Sequence, residues 1–174
     1  MKKITLPLSR QEIVCLNAGD RVLLSGELIT GRDAAHRKII SLLDEGKELP
    51  FDIRGKTIYY TGPCPGKPGF PIGSCGPTTS GRVDAYTPRL LDLGLIGMIG
   101  KGERSKEVIE SIKKNGAVYF AAIGGAGALY CFCVKKAEVL AFPELLSEAV
   151  YKLHVEDFPV IVAIDSEGNS IYKR

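Results

Sequence analysis

Tryptophan is absent from this chain, histidine and methionine occur twice each, and acidic and basic residues nearly cancel. Each shortage excludes something. A net charge of +3 is not the strongly basic balance of a nucleic-acid binder, and no local basic patch replaces it. The densest cationic group, Lys101 to Lys114, alternates with Glu103, Glu107 and Glu110, the pattern of a solvated, salt-bridged helix face. No apolar run is long enough to cross a bilayer; the longest, Leu93 to Ile99, is short and broken by glycine. The opening Met1-Lys-Lys-Ile-Thr-Leu-Pro-Leu lacks the apolar core of a secretory leader. The expectation is a cytoplasmic protein with no nucleic-acid and no membrane partner. His36 and His154 lie far apart and no Cys-x-x-Cys occurs, which argues against a zinc site. Five cysteines, an odd number, argue against a closed disulfide framework.

What is present is an ordinary share of apolar residues (45%) and charges (25%), with 20 glycines that punctuate apolar runs. Lys2–Leu8 reads as a strand, and Ser9-Arg-Gln-Glu12 has capping-box spacing for a short helix to about Leu16. Val22–Thr30 is apolar and leads into Gly31-Arg32-Asp33. Ala35, Ile39, Leu42 and Leu43 then recur at helical spacing to Gly46. Thr57–Thr61 is β-branched and aromatic, hence a strand. It runs into a proline-rich stretch, Gly62 to Pro71, that no helix or regular strand survives. Val83–Leu93 has helical spacing and Leu95–Ile99 reads as a buried strand. Ser105 caps a helix that stops at Asn115-Gly116. Ala117–Ile123 is a buried strand ending at Gly124-Gly-Ala-Gly127, with a short helix from Ala128. Glu138–Phe142 and Val160–Ile164 read as strands. Pro143 opens a helix toward Val150. Ser166–Asn169 makes a hairpin turn into Ile171-Tyr172. Residues 1–174 read as a single α/β domain with a mixed sheet and flanking helices.

Three stretches share one arrangement: an apolar run ends, a glycine follows, and a cation or hydroxyl sits near a helix start. They are Gly31-Arg32-Asp33, Gly76-Pro-Thr-Thr-Ser-Gly-Arg82 and Gly100-Lys101-Gly102. Such turns aim backbone N–H groups at anions, and ligands of open α/β sheets bind at strand carboxyl ends. Three cations there would suit a small dicarboxylate, Arg binding a carboxylate bidentately and Lys adding a point charge. Taken singly, each has a plainer explanation. A lone Arg after a strand is usually surface, and Thr78 and Ser80 could simply cap a helix. Gly124–Gly127 matches neither a dinucleotide fingerprint nor a phosphate loop. Cys131 and Cys133 flank Phe132 and read as buried small hydrophobes. Cys64 and Cys75, in or beside the proline-rich stretch, read as more exposed, and His36 is the sole histidine near the proposed rim. His36 could equally be a polar lid on its helix, and His154 reads as structural.

In order along the chain stand Gly31-Arg-Asp-Ala-Ala-His36, Tyr60-Thr-Gly-Pro63, Gly76-Pro-Thr-Thr-Ser-Gly-Arg-Val-Asp84, Lys101-Gly102, Ile123-Gly-Gly125 and Val155-Glu-Asp-Phe-Pro159. With these runs the chain resembles, over nearly its full length, the β subunit or C-terminal domain of iron–sulfur hydro-lyases of the class I fumarase and L-tartrate dehydratase type. The resemblance implies a swivelling β/β/α domain. It implies a 4Fe–4S cluster held by three cysteines of a partner α subunit rather than by this chain, its open iron acting as a Lewis acid on substrate. It implies that Arg32, Arg82 and Lys101 bind the substrate carboxylates and that Thr78 is the base. His36, Thr79, Ser80 and Asp84, in or beside the same runs, are expected behind them. A hetero-oligomer of α2β2 form is expected. Fumarate hydration is the preferred reading and tartrate dehydration the alternative. A non-catalytic anion-binding or regulatory domain, and a thiol enzyme using Cys64 or Cys75, are the readings from other classes.

Overall fold

The structure, a computed structural model, describes residues 1–172. Seven strands form one mixed sheet: β1 (Lys2–Thr5), β2 (Arg21–Thr30), β3 (Thr57–Tyr59), β4 (Gly97–Gly100), β5 (Val118–Ala121), β6 (Val134–Ala141) and β7 (Val150–Ile164). Neighbours among β1 to β5 run parallel. β7 runs antiparallel to β2, β5 and β6. Because β7 pairs with both β2 and β5, strands β2, β3, β4, β5 and β7 close a ring. The longest strands make the closure, Arg21–Ile29 of β2 lying against Lys152–Ile161 of β7. On its other side β2 carries β1 at Val22–Ser25 and β3 at Ile29–Thr30.

Alternation along the strands separates two cores. Leu28, Tyr59, Ile99, Phe120 and Val162 face one, which α1 (Arg10–Val14) and α5 (Gly127–Cys133) join through Ile13 and Tyr130. Ile29, Ile58, Met98, Tyr119 and Ala163 face the other. Onto that face pack α2 (Asp33–Asp44), α3 (Thr87–Asp92) and α4 (Lys106–Asn115) through Ile39, Leu90 and Val108. The mixed sheet with flanking helices is the expected one.

Local signals worked where the chain is self-sufficient. The Ser9–Glu12 capping box forms in both directions, and Ser105 accepts from Val108 N–H at the start of α4. Gly116 ends α4 in the left-handed region. Elsewhere the elements differ from expectation. The stretch Val83–Leu93 is two pieces, a 3₁₀ turn at Ser80–Val83 and then α3, which restarts with Pro88 in its first turn. Pro143–Glu148 is a 3₁₀ strap kinked at Leu146, not an α-helix. Strand β7 begins at Val150, ten residues before the expected start. At Ile171-Tyr172 no strand forms; one bridge joins Ile164 to Ser170.

Candidate functional site

Strands β2, β3, β4 and β5 are parallel, so their carboxyl ends share one edge. Arg32 follows β2, Tyr60-Thr61-Gly62 follow β3, Lys101 follows β4 and Ile123-Gly124 follow β5. Past Tyr60 and Gly100 the Gly76–Arg82 run enters between β3 and β4. Thr78 N–H donates to the Tyr60 carbonyl (2.8 Å), Lys101 N–H to the Thr78 carbonyl (3.2 Å) and Ser80 N–H to the Lys101 carbonyl (2.9 Å). Thr79 and Lys101 thus form a parallel bridge. The run is therefore a short strand inserted at the edge rather than only a helix cap.

This places Thr78 between Tyr60 at the end of β3 and Lys101 at the end of β4, with Arg32 at the neighbouring end of β2. Arg32 lies across Gly62, where a β-carbon would sit 3.0 Å from its Cδ and Nη1. Lys101 leans the other way, its Nζ 3.7 Å from where a Gly124 β-carbon would be. Arg82 projects from the 3₁₀ turn and is exposed. Neither Arg82 nor Lys101 has an ion-pair partner among the described residues. Arg32 Nε is buried and makes no hydrogen bond, its nearest carboxylate being Glu148 Oε1 at 3.9 Å. A buried donor left unpaired costs on the order of 1–3 kcal/mol, which an incoming carboxylate oxygen would recover. Arg32 and Lys101 leave strands two places apart, about 10 Å at the backbone. Their side chains can converge on one small dianion.

The Thr78 hydroxyl donates to the Tyr60 carbonyl at 3.0 Å, leaving its lone pairs free to accept. Of the residues expected behind the edge, His36, Ser80 and Asp84 are already occupied. His36 is buried against Tyr60 and Tyr86. Its Nδ1 donates to the Arg32 carbonyl at 2.7 Å, leaving Nε2 as a bare, unpartnered acceptor. Burial lowers its pKa to about 4, so it is neutral near pH 7 and buttresses the Arg32 backbone. It is no lid on its helix. Ser80 is buried and its hydroxyl meets the Tyr119 hydroxyl at 2.9 Å. Asp84 accepts from Arg104 Nε (2.6 Å) and Ser105 N–H (2.7 Å), tying the turn after β4 to the 3₁₀ turn. Thr79 is exposed at the bridge.

Three participants were not among the expected site residues. Arg104 is buried, donates to Thr87 Oγ1 (2.8 Å), and lies between the Tyr60 and Tyr119 rings. Tyr60 supplies the carbonyl that orders Thr78. Glu148 reaches Arg32 from 116 positions away. The thiols depart from expectation. Cys75 is fully buried, with Tyr59 Oη donating to its carbonyl, and burial pushes its thiol up to about 12. It is not the exposed residue its loop suggested. Cys131 and Cys133 are half-buried rather than core. Cys64 alone of these is exposed, and His36 is sealed in the core. Of the described residues, no three His, Cys, Asp or Glu side chains are placed to hold a metal. With no three such side chains gathered and Cys75 sealed among apolar residues, the described cysteines do not make a ligand set that fits an iron–sulfur cluster.

A mixed α/β sheet whose parallel strand ends carry Arg32, Lys101 and the Thr78 hydroxyl along one edge defines an α/β domain with a cationic edge. The chain belongs to the family described as Fumarase C-terminus, whose model matches residues 1–174. It is 41% identical over 176 residues to "Fumarate hydratase class I, anaerobic" of Escherichia coli (strain K12), covering 100% of this chain and 31% of that protein. It is 42% identical over 167 residues to "Fumarate hydratase 2" of Leishmania major, covering 95% and 29%. It is 40% identical over 173 residues to "Putative L(+)-tartrate dehydratase subunit beta" of Methanocaldococcus jannaschii, covering 96% and 89%. The chain thus spans about a third of the length of the fumarases it matches and most of the length of the separate subunit.

Proposed function

We propose that this chain supplies the carboxylate-binding half of a class I fumarate hydratase, adding water to fumarate to give L-malate, and that an α subunit completes the site. The observation that carries the reading is the insertion of Thr78 between Tyr60 and Lys101 at the sheet edge where Arg32 also emerges, in a chain of this family. In the dehydration direction a base removes the proton from the carbon beside one carboxylate. The electron pair then delocalises into that carboxylate, which becomes doubly negative, and hydroxide leaves the neighbouring carbon as the double bond forms. Arg82 and Lys101, both unpaired, would hold the charged carboxylate, and Arg32 the other one. Thr78 is the proposed base. As an alkoxide it would face the Tyr60 carbonyl oxygen at 3.0 Å, which is repulsive. It must therefore turn toward the cations, whose charge favours the anion. The general acid, and the cluster that the family resemblance implies, are assigned to the α subunit, in an α2β2 assembly.

Tartrate dehydration is the second reading, favoured by the M. jannaschii relative, which is named as a separate subunit. The test is the assembled enzyme assayed with fumarate and with tartrate. Thr78→Ala is expected to lower turnover about 100-fold or more with little change in KM. Arg32→Ala and Lys101→Ala are expected to raise KM. Turnover left intact in Thr78→Ala would remove Thr78 as the base. Carboxylate binding without turnover of either substrate would leave the non-catalytic anion-binding reading in its place.

A further inference from the structure

An apolar surface runs beside the cationic edge. Its centre is the proline-rich loop, which closes on itself through Cys64 N–H to the Ser74 carbonyl (2.9 Å) and Gly73 N–H to the Cys64 carbonyl (2.8 Å). Closure is tight, for a β-carbon at Gly66 would lie 2.3 Å from the Phe70 carbonyl oxygen. On one side the loop and α5 enclose a hollow of about 420 Å³, walled by Cys64, Pro65 and Ile72. The rings of Phe70 and Phe132 meet edge to face there, 5.7 Å apart. On the other side the same three residues wall a second hollow of about 260 Å³, shared with Leu146 and Tyr151. Leu146 is 75% exposed, Leu129 69% and Phe132 58%. Leu129 and Phe132 stand one turn apart on α5, on the same helix face. Apolar residues on a free surface are usually scattered singly; a contiguous set marks an interaction site.

The surface joins the candidate site at both ends. Beside α5, a β-carbon at Gly127 would lie 2.7 Å from Gly76 N, so the helix start abuts the Gly76–Arg82 run. Beside the strap, the Ser147 carbonyl crowds Gly62, which also carries Arg32. Whatever covers the apolar surface therefore also closes over the edge. The relatives point to the occupant. In the E. coli protein the segment like this chain is 31% of the polypeptide, and in M. jannaschii its counterpart is named as a subunit on its own.

We infer that this face, with Phe132 and Leu146 as anchors, is the docking surface for the larger remaining part of the hydro-lyase, carried on a separate chain or on a continuous one. The choice of partner rests on the proposed function. Aromatic and aliphatic anchors beside preformed hollows are the usual centre of such an interface, with the charged rim contributing little.

The test co-expresses this chain with the native chain that matches the remainder of the E. coli fumarase, purifies the complex anaerobically and measures its dissociation constant. Phe132→Asp and Leu146→Asp are each expected to weaken the complex at least about 10-fold. Phe132→Ser should do so less, and thermal melts should stay unchanged, since these side chains are exposed. Leu93→Asp, at the opposite edge of the sheet, should leave the complex as it is. Wild-type affinity in both Asp variants overturns the inference. So does failure of the two chains to associate, or a dimer of this chain alone that Phe132→Asp dissolves while the mixed complex persists. A complex that forms through these anchors yet converts neither fumarate nor tartrate overturns the functional reading and leaves the docking surface standing.

Discussion

At Thr78 and His36 a side chain's chemistry is set by one backbone carbonyl and by burial. The Thr78 hydroxyl is held by the Tyr60 carbonyl and has lone pairs to spare. His36 is held by the Arg32 carbonyl and has a bare nitrogen in the core. That burial has a measurable consequence. The folded chain keeps the imidazole neutral down to about 4, whereas an unfolded histidine binds its proton near 6.5. A group whose folded pKa is depressed contributes stability that is complete above the unfolded value. It is lost as pH falls through the window from 6.5 toward about 4. The loss is on the order of 3 kcal/mol across that window. Urea unfolding midpoints are expected to fall through that range, and His36→Phe to flatten the slope between about pH 6.5 and 5. An unchanged slope in the variant would show that other groups dominate.

Among the elements, the short inserted strand at Thr78–Ser80 depends on a glycine in β4. A β-carbon at Gly100 would meet Ser80 Oγ at 2.0 Å and Tyr60 Cδ2 at 2.7 Å. Ser80 cannot simply rotate away without leaving the Tyr119 hydroxyl. Gly100→Ala is therefore expected to cost about 2 kcal/mol or more in chemical denaturation. Ser80→Gly in that background should return part of the loss, a coupling of about 1 kcal/mol in a double-mutant cycle, with the Tyr60 contact unrelieved. Strict additivity would mean the inserted strand is not held against β4 as described. The strap at Pro143–Glu148 shows the opposite situation. It has no fully buried residue, and Phe142 and Leu146 both take positive φ. Such backbone strain is tolerated where surrounding contacts impose it. Here these are the ring of Phe142 under Lys38, and Tyr151 Oη on the Leu146 carbonyl.

For the whole molecule the deciding feature is the closed ring. Strand β7 is both the longest strand and the closing one, so its loss opens the barrel at β2 and β5 together. Amide hydrogen exchange is expected to be slowest, and uniform, along the paired parts of β2 and β7, exchanging only on global unfolding. The strap and the proline-rich loop should exchange by local opening, at least about 100-fold faster. A first half of β7 that exchanges as fast as the strap would refute this cooperative closure. That half was legible in principle: Tyr151 to Glu156 alternates apolar and polar, the mark of a strand with one wet face. The polar side chains of Lys152, His154 and Glu156 obscured it.

Signals that act over three or four residues survive translation into structure. The Ser9–Glu12 box, the Ser105 cap and Gly116 stop, the breakers of the proline-rich loop and the glycine-bounded cationic runs all lie where their neighbours dictate. The sequence by itself determined the α/β class with its mixed sheet, the placing of the cations just after strand ends, and the family. Only the tertiary structure decided that β7 closes a ring on β2, that Cys75 and His36 are sealed and neutral, and that Thr78 lies between Tyr60 and Lys101. The physical reason is that capping, turns and periodicity are relations between near neighbours. Burial, pKa and strand insertion depend instead on atoms brought together from distant parts of the chain, as when Glu148 approaches Arg32 or Ser80 fills the space of a missing β-carbon at Gly100.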